Sequence, residues 1–326
     1  MAERVAIRET GGPDVLAYES FDPGEPGEGE VLVAQEAVGL NFIDVYHRSG
    51  YYPLPALPHG IGLEAAGEVV ETGPGVEWLE PGDRVAYVTP PPGAYATERV
   101  LPAAKLIKLP EGISNQLAAG MMLKGLTAQY LLRQTYRVAP GETILIHAAA
   151  GGVGLILCQW ASHLGARVIG TVGSEEKAEL ARAHGCAYPI LYREEDVVRR
   201  VKEITDGEGC PVVYDSVGKD TFEKSLDSLA RRGMLVSFGQ SSGPVEPVPP
   251  VLLSMKGSLY LTRPTLFDYT VTRQELEAAA EDLFAVVEAG KVSIEVNQRF
   301  SLSEAADAHR ALEARETTGS TILVAR

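Results

Sequence analysis

Residues 143–154, TILIHAAAGGVG, constrain this chain more than any other stretch. A run of β-branched and aliphatic residues ends in alanines and glycines, and an apolar helical pattern follows. Val153, Ile156, Leu157, Trp160, Ala161 and Leu164 fall on one face, at the i, i+3, i+4, i+7 spacing of a helix lying on a sheet. Strand, glycine-rich turn and helix are the frame of the dinucleotide-binding fingerprint G-x-G-x-x-G. Ala149 stands at the first glycine position, while Gly151 and Gly154 hold the other two. Gly151 would let the backbone approach a phosphate, and Gly154 would let helix and strand pack closely. The turn is therefore predicted to hold a pyrophosphate; small residues serving packing alone are the plainer alternative.

The pattern around the turn supports a nucleotide-binding domain. Strands are predicted at 143–148, 166–172, 188–192, 212–216 and 234–238, with helices at 153–164, 175–184, 195–205 and 221–230. Continuous β-branched runs suit strands buried on both faces, and strict alternation with helices gives βαβ units and a parallel sheet. Asp220 and Glu223 have the spacing of a capping box at the start of the last of these helices. The first 120 residues instead show short strands separated by PGEPGEGE, TGPGVE and EPGD, the pattern of a barrel-like β domain. Beyond a Pro-rich loop at 242–250, a strand at 257–262, helices at 275–289 and 303–315 and a strand at 321–324 are expected. The helices past 265 are expected to return to the first domain.

Which dinucleotide the turn prefers follows from the end of the second strand. An NAD site places an Asp or Glu there to hold the ribose 2′-hydroxyl. Here it reads Thr171-Val172-Gly173-Ser174, with no acid, and Lys177 follows; Tyr192 and Arg193 end the third strand. Ser174 reads as an N-cap, which puts Lys177 in the first helical turn, where the macrodipole disfavours a cation. A lysine there makes better sense facing an anion, so NADPH is expected. A solvated lysine is the alternative.

Composition removes several classes. The net charge is −15 over 326 residues, with acids spread along the chain, which disfavours a nucleic-acid surface. Cys158, Cys186 and Cys210 are far apart and describe neither a disulfide framework nor a zinc knuckle. The longest apolar stretch, 143–161, is interrupted by glycines and a histidine and makes a poor membrane span. MAERVAIRET carries no apolar leader. A cytoplasmic protein is expected.

The chain resembles the quinone oxidoreductase and zeta-crystallin family of the medium-chain dehydrogenase/reductase superfamily. The resemblance rests on Gly141-Glu142-x-x-Leu145-x-x-x-Ala149-Ala150-Gly151-Gly152-x-Gly154-x-x-x-x-Gln159-x-x-Ser162. It continues in Gly39-Leu40-Asn41-Phe42-Ile43-Asp44, Gly62-Leu63-Glu64-Ala65-Ala66-Gly67, Pro81-Gly82-Asp83-Arg84-Val85 and Tyr214-Asp215-Ser216-Val217-Gly218. It implies an α/β fold in three parts. These are a GroES-like β-barrel catalytic domain at 1–124, a doubly wound Rossmann domain binding NADPH at 125–264, and a C-terminal return at 265–326. It also implies a homodimer paired through the edge strand near 257–262.

Zinc enzymes of that superfamily hold a catalytic metal with Cys, His and Cys. Here the G-H-E element reads Gly62-Leu63-Glu64, and neither Asn41-Phe42-Ile43-Asp44 nor Gly120-Met121-Met122-Leu123 contains a cysteine. A zinc site needs three or four spaced ligands, so no metal is expected. Glu64 is left as a packing, hydrogen-bonding or functional residue. Without a metal to polarise a carbonyl, the acceptor should already be electrophilic, as a quinone or an activated enone is.

Asn41, Asp44, Tyr46, Tyr51 and Tyr52, from NFIDVYHRSGYYP, are expected to line the acceptor slot, and the resemblance implies that Asn41, Asp44, Tyr46 and Tyr52 border the nicotinamide. Their amide and hydroxyls are then expected to orient a quinone oxygen, with the proton supplied by solvent. A turn-rich loop with packing tyrosines is the alternative. Further matches to the family's cofactor contacts are Thr127, Gly152 and Val153, then Gly173, Ser174 and Tyr192, and finally Ser216, Phe238, Gly239, Ser241, Ser242 and Arg263. The expected activity is NADPH-dependent quinone reduction. Reduction of activated enones or enoyl thioesters, and a noncatalytic NADPH- or RNA-binding role, are the alternatives.

Overall fold

The structure, a computed structural model, describes residues 1–325. The chain forms two units. The first takes Met1–Lys124, Val271–Phe284 and the residues from Ile294 onward; the second takes Gly125–Thr270 and Ala285–Ser293.

The first unit begins with β1 (Ala2–Ile7), β2 (Ala17–Phe21), β3 (Glu30–Leu40), α1 (Phe42–Ser49), β4 (His59–Gly60) and β5 (Glu64–Thr72). It continues with β6 (Arg84–Val88), β7 (Glu98–Pro102), β8 (Leu106–Lys108) and the first part of α2 (Asn115–Tyr130). Strand β3 organises it. Val31 and Val33 point into the core at the period of two, and from Ala37 to Leu40 every residue is buried. One edge of β3 pairs with β5, with register shifts at Leu32/Val33 and Gln35/Ala37 that bend the strand.

The second unit holds β9 (Thr143–Ile146), α3 (Gly152–His163), β10 (Arg167–Val172), α4 (Glu175–Ala183), β11 (Cys186–Leu191) and α5 (Val197–Ile204). It then adds β12 (Cys210–Asp215), α6 (Phe222–Asp227), β13 (Leu229–Ser237), α7 (Pro250–Met255) and β14 (Tyr260–Thr262). All its strand pairs are parallel, in the order β11-β10-β9-β12-β13-β14. This doubly wound arrangement reverses between β9 and β12, and the carboxyl ends of strands at such a reversal are where nucleotides sit in open α/β sheets. Leu145, Ile169, Ile190, Val213 and Leu235 fill its core.

The chain closes with α8 (Arg273–Glu288), β15 (Val296–Ser301), α9 (Ala305–Glu313) and β16 (Ser320–Val324). β16 lies antiparallel on β3, with Thr321 opposite Leu40, and β15 lies parallel on β16. The first unit's main sheet thus runs β15-β16-β3-β5-β6-β8, with β7 also on β3.

The expected closed barrel is therefore corrected to an open, branched sheet. The edge of β3 away from β5 is shared: β7 pairs with Glu30–Ala34 and β16 with Ala37–Leu40. The sheet forks there instead of returning on itself, and β15 and β8 remain as its ends. The capping box expected at Asp220 is also absent. Thr221 is the N-cap of α6, and its hydroxyl donates to the carboxylate of Asp215 at 2.8 Å. The helix thus starts one residue later than the box requires, and the Asp220 N–H that Glu223 would have capped donates to Ser242 Oγ instead. Helix α1 carries Asp44 and Tyr46, so the alternative of a turn-rich loop does not hold for this part of the segment. No helix among the described residues is long and apolar enough to cross a membrane.

Candidate active site

The glycine-poor turn keeps the geometry of an anion cradle, with one change of roles. The residue in the left-handed region is Ala148, at φ 54°, and the alanine at the first glycine position, Ala149, is fully buried. Ala149 fits because β10 carries Gly170 opposite it: a Cβ on Gly170 would stand 2.6 Å from that of Ala149. Gly151 is the N-cap of α3, in extended conformation, and no side chain caps the helix. The first-turn N–H groups and the positive end of the helix dipole are thus left to an anion. Gly154 is required sterically, since a Cβ there would overlap the Ala148 carbonyl oxygen. These residues fit the pyrophosphate of a dinucleotide.

The fold gathers nearly all the sequence-predicted cofactor residues beyond the carboxyl ends of the parallel strands. Gly151, Gly152, Val153 and Gly154 follow β9, Gly173 and Ser174 follow β10, and Tyr192 follows β11. Ser216 follows β12; Phe238, Gly239, Ser241 and Ser242 follow β13; Arg263 follows β14. Thr127 differs, since it comes from α2 and is buried. Ser174 caps α4, accepting the Lys177 N–H at 3.3 Å, so Lys177 does stand in the first turn, beside Glu175 and Glu176. Gly173 gives room to Tyr192: a Cβ on it would lie 3.0 Å from the tyrosine hydroxyl. Ser242 is engaged in its own loop, donating to Val217 O at 2.7 Å and accepting from Asp220 N at 3.0 Å.

Beneath this edge lies a buried polar chain that sequence reasoning missed. Asp215 accepts from the N–H groups of Val217 and Gly218 and from the hydroxyls of Thr221 and Ser225. Ser225 Oγ is 3.0 Å from His147 Nε2, and His147 Nδ1 is 2.9 Å from Thr171 Oγ1. Thr171 Oγ1 also accepts the Ala148 N–H at 3.3 Å. Burial holds the His147 pKa below its usual range. The network ties the strained Ala148 to the ends of β10 and β12.

In the first unit the catalytic candidates divide into a buried polar group and an aromatic group. Asn41 precedes α1, 6% exposed, and its side-chain amide donates to Glu64 Oε1 at 2.7 Å. Its backbone N–H donates to Asp44 Oδ2 at 2.9 Å, which starts the helix. Glu64, fully buried, also accepts the Leu123 N–H through its other oxygen. The ammonium of Lys124 donates to Leu40 O at 3.1 Å and stands 3.5 Å from Glu64 Oε1. Glycine at position 39 makes this possible, because any Cβ there would collide with the Glu64 carboxylate. Glu64 is thus a hydrogen-bonding residue that fixes which way the Asn41 amide faces.

Asp44 is enclosed, and burial raises its pKa from 3.8 to about 7, helped by the Glu64 charge and opposed by the Asn41 N–H, the Tyr95 hydroxyl and Lys124. Its Oδ1 and His47 Nδ1 are buried with no hydrogen-bond partner in the protein. Tyr46 and Tyr52 meet edge to face at 5.2 Å, with Tyr51 5.8 Å from Tyr46 and 5.3 Å from Tyr52. These rings form one aromatic surface on the end of α1 and the turn after it. Sequence reasoning named Asn41, Asp44, Tyr46 and Tyr52. It missed Tyr95 and Lys124; the one legible signal was a lone lysine inside the apolar α2 stretch LAAGMMLKGL.

The donor set does not fit a catalytic zinc ion. Leu63, where a histidine ligand would be needed, is buried and apolar, and no group of three or more His, Cys, Asp or Glu is placed to hold a metal among the described residues. The three cysteines are free and buried.

Comparison with known proteins agrees with this geometry. Residues 27–111 match the alcohol dehydrogenase GroES-like domain and residues 152–285 the zinc-binding dehydrogenase family. The chain is 59% identical to a quinone oxidoreductase of Pseudomonas aeruginosa, over 99% of this chain and 100% of that one. It is 48% identical to a 2-haloacrylate reductase from a Burkholderia species, over 99% of each. The crystal structure of Escherichia coli quinone oxidoreductase complexed with NADPH is 51% identical, with a TM-score of 0.97 over 99% of each chain. The chain belongs to the quinone oxidoreductase family of the medium-chain dehydrogenase/reductase superfamily.

Proposed function

We propose that this chain catalyses the metal-independent reduction of quinones by NADPH. The observation that carries the reading is identity above one half, over whole chains, to quinone oxidoreductases, one of them crystallised with NADPH. NADPH, when bound, supplies the hydride. The protein's part is to bind, orient and exclude water.

In this reading Gly151, Gly152, Val153 and Gly154 hold the pyrophosphate at the head of α3. Gly173, Ser174, Lys177 and Tyr192 take the 2′-phosphate ribose. Ser216, Phe238, Gly239, Ser241 and Ser242 support the cofactor along the strand ends, with Thr127 and Arg263 as further contacts. Asn41, Asp44, Tyr46 and Tyr52 border the nicotinamide, and the tyrosine surface accepts the flat face of a quinone. Solvent supplies the proton. With Leu63 in place of a ligand, the site has no ligand set for a metal that would polarise a simple carbonyl, and an acceptor that is already electrophilic is the better match.

The open edge of β14, with Tyr260, Val251 and Met255 exposed on it and on α7, is where a second copy would pair to make a homodimer. Three buried thiols, all free, suit the reducing cytoplasm.

Steady-state rates with a panel of quinones, enones, 2-haloacrylates and aldehydes, each with NADPH and NADH, test the reading. Quinones with NADPH should turn over fastest and aldehydes not at all. Turnover of aldehydes at rates matching the quinones, or none with any quinone, would overturn it.

A further inference from the structure

Asp44 sits at the end of a hydrogen-bond chain that starts on α9, near the other end of the sequence. The Tyr95 hydroxyl is 3.1 Å from Asp44 Oδ2 and 3.0 Å from His309 Nε2. His309 Nδ1 is 3.1 Å from Arg48 Nη1, and Arg48 pairs with both carboxylate oxygens of Glu313 at 2.8 and 2.9 Å. Arg48 and His309 are buried, at 2% and 0% exposure.

The chemistry of these groups allows one direction only. A guanidinium has donors and no acceptor, so His309 Nδ1 must accept. A neutral imidazole carries one N–H, which therefore resides on Nε2 and points at the Tyr95 oxygen. The single hydroxyl proton of Tyr95 is then free to go to Asp44. Burial and the neighbouring Arg48 hold the His309 pKa down to about 3, which keeps the ring neutral. Arg48 cannot release a proton, so the chain orients and does not conduct.

We propose that His309 and Tyr95 are positioning residues for turnover: the chain from Arg48 aims a hydroxyl at Asp44, holds that side chain as the acceptor of the Asn41 N–H, and so sets the acid limb of the reaction. The proposal rests on the reading that Asn41 and Asp44 border the nicotinamide. The charged or titratable groups facing Asp44 are Glu64 from β5, Lys124 from α2 and Tyr95 from the loop before β7. Arg48 lies one turn further along α1, and His309 stands behind Tyr95. Of these, Tyr95 alone donates a side-chain hydrogen bond to the carboxylate. Removing that donor destabilises the ionised form and moves its titration to higher pH.

The test uses the full chain with NADPH and 1,4-benzoquinone, comparing Tyr95→Phe, His309→Leu and His309→Gln with the wild type. Two quantities are read: the pH profile of kcat, and the titration of the Asp44 carboxyl carbon by 13C NMR, assigned with Asp44→Asn. Tyr95→Phe should move both to higher pH by about one unit, roughly tenfold in the proton concentration at half activity. NADPH affinity should be unchanged. His309→Leu should shift them less and in the same direction. His309→Gln, whose amide can accept from Arg48 and donate to Tyr95, should restore the wild-type curves. An unmoved NMR titration in the near-isosteric Tyr95→Phe overturns the chain itself. A moved titration with an unmoved kcat profile also overturns the proposal, and places the failure in the role given to Asp44 and Asn41.

Discussion

A methyl group on Gly154 would overlap the carbonyl oxygen of Ala148, whereas one on Gly151 would stand 3.2 Å from that same oxygen. The two glycines of the turn therefore do different work. Gly154 serves the packing of α3 against the strand end, and Gly151 serves whatever approaches the turn from outside. Gly154→Ala should unfold at lower denaturant concentration, with a loss of about 1–3 kcal/mol typical of overpacking. Gly151→Ala should unfold close to wild type and bind NADPH at least tenfold more weakly. Calorimetric Kd values beside denaturation curves check this, and equal loss of stability in both variants would remove the distinction.

Lys177 stands in the first turn of α4, behind the cap made by Ser174. If it faces the 2′-phosphate, Lys177→Ala weakens NADPH and leaves NADH nearly untouched. A charge-assisted hydrogen bond is worth roughly 1.5–3 kcal/mol, and partial exposure brings the effect to about tenfold in Kd. Ser174→Asp keeps a capping side chain and sets a carboxylate against the phosphate, so it should shift preference toward NADH. Tryptophan quenching at two salt concentrations measures both. Equal effects on the two cofactors would show that Lys177 is only a surface lysine.

The buried pair Glu64–Lys124 makes a test of what fixes Asn41. Glu64→Gln leaves the Lys124 ammonium, 6% exposed, without its counter-charge. Breaking such a pair from one side costs about 3–5 kcal/mol. Glu64→Gln combined with Lys124→Met removes the stranded charge and should recover part of that loss. A double-mutant cycle by chemical denaturation decides it: a double variant as unstable as the two single losses added together means the charges do not interact.

Asp44 and His309 give opposite pH dependences to stability. Asp44 has its pKa raised from 3.8 to about 7, so its contribution is present below the ordinary value and is lost as pH rises through about 7. His309 has its pKa lowered from 6.5 to about 3, so its contribution is present above 6.5 and is lost as pH falls through about 3. Relative to wild type, Asp44→Asn should gain stability as pH is raised across the first window, and His309→Gln should gain as it is lowered across the second. Urea unfolding over a pH series reads this directly; parallel curves for either variant would show that its group is not held as described.

Much of the second unit was legible because its signals are local. Alternating apolar strands and amphipathic helices, Ser174 as a cap and Lys177 behind it are each written within a few residues. The turn was legible in outline, but the room that lets an alanine stand at the first glycine position comes from Gly170, a strand away. The first unit hid more. Helix α1 was not assigned from sequence, because it is only eight residues long and its GYYP exit has the pattern of a turn. The branching of the sheet at β3 follows from which partners reach each half of that strand, and no local pattern records it. Tyr95, Lys124 and His309 come from three distant segments, and only folding brings them to Asn41 and Asp44.

The place of β16 has a consequence for how the molecule is made on the ribosome. It lies between β15 and β3 in the sheet, with Thr321 against Leu40, yet it follows β15 and the whole parallel sheet in the chain. Every strand of the parallel sheet, β9 to β14, is synthesised before it, so the nucleotide-binding unit can close its sheet while β3 still waits. Through that interval Ala37–Leu40 present a bare, apolar strand edge, the kind of surface that recruits other chains. A nascent chain stalled before residue 320 is thus the form of this protein most in need of a chaperone.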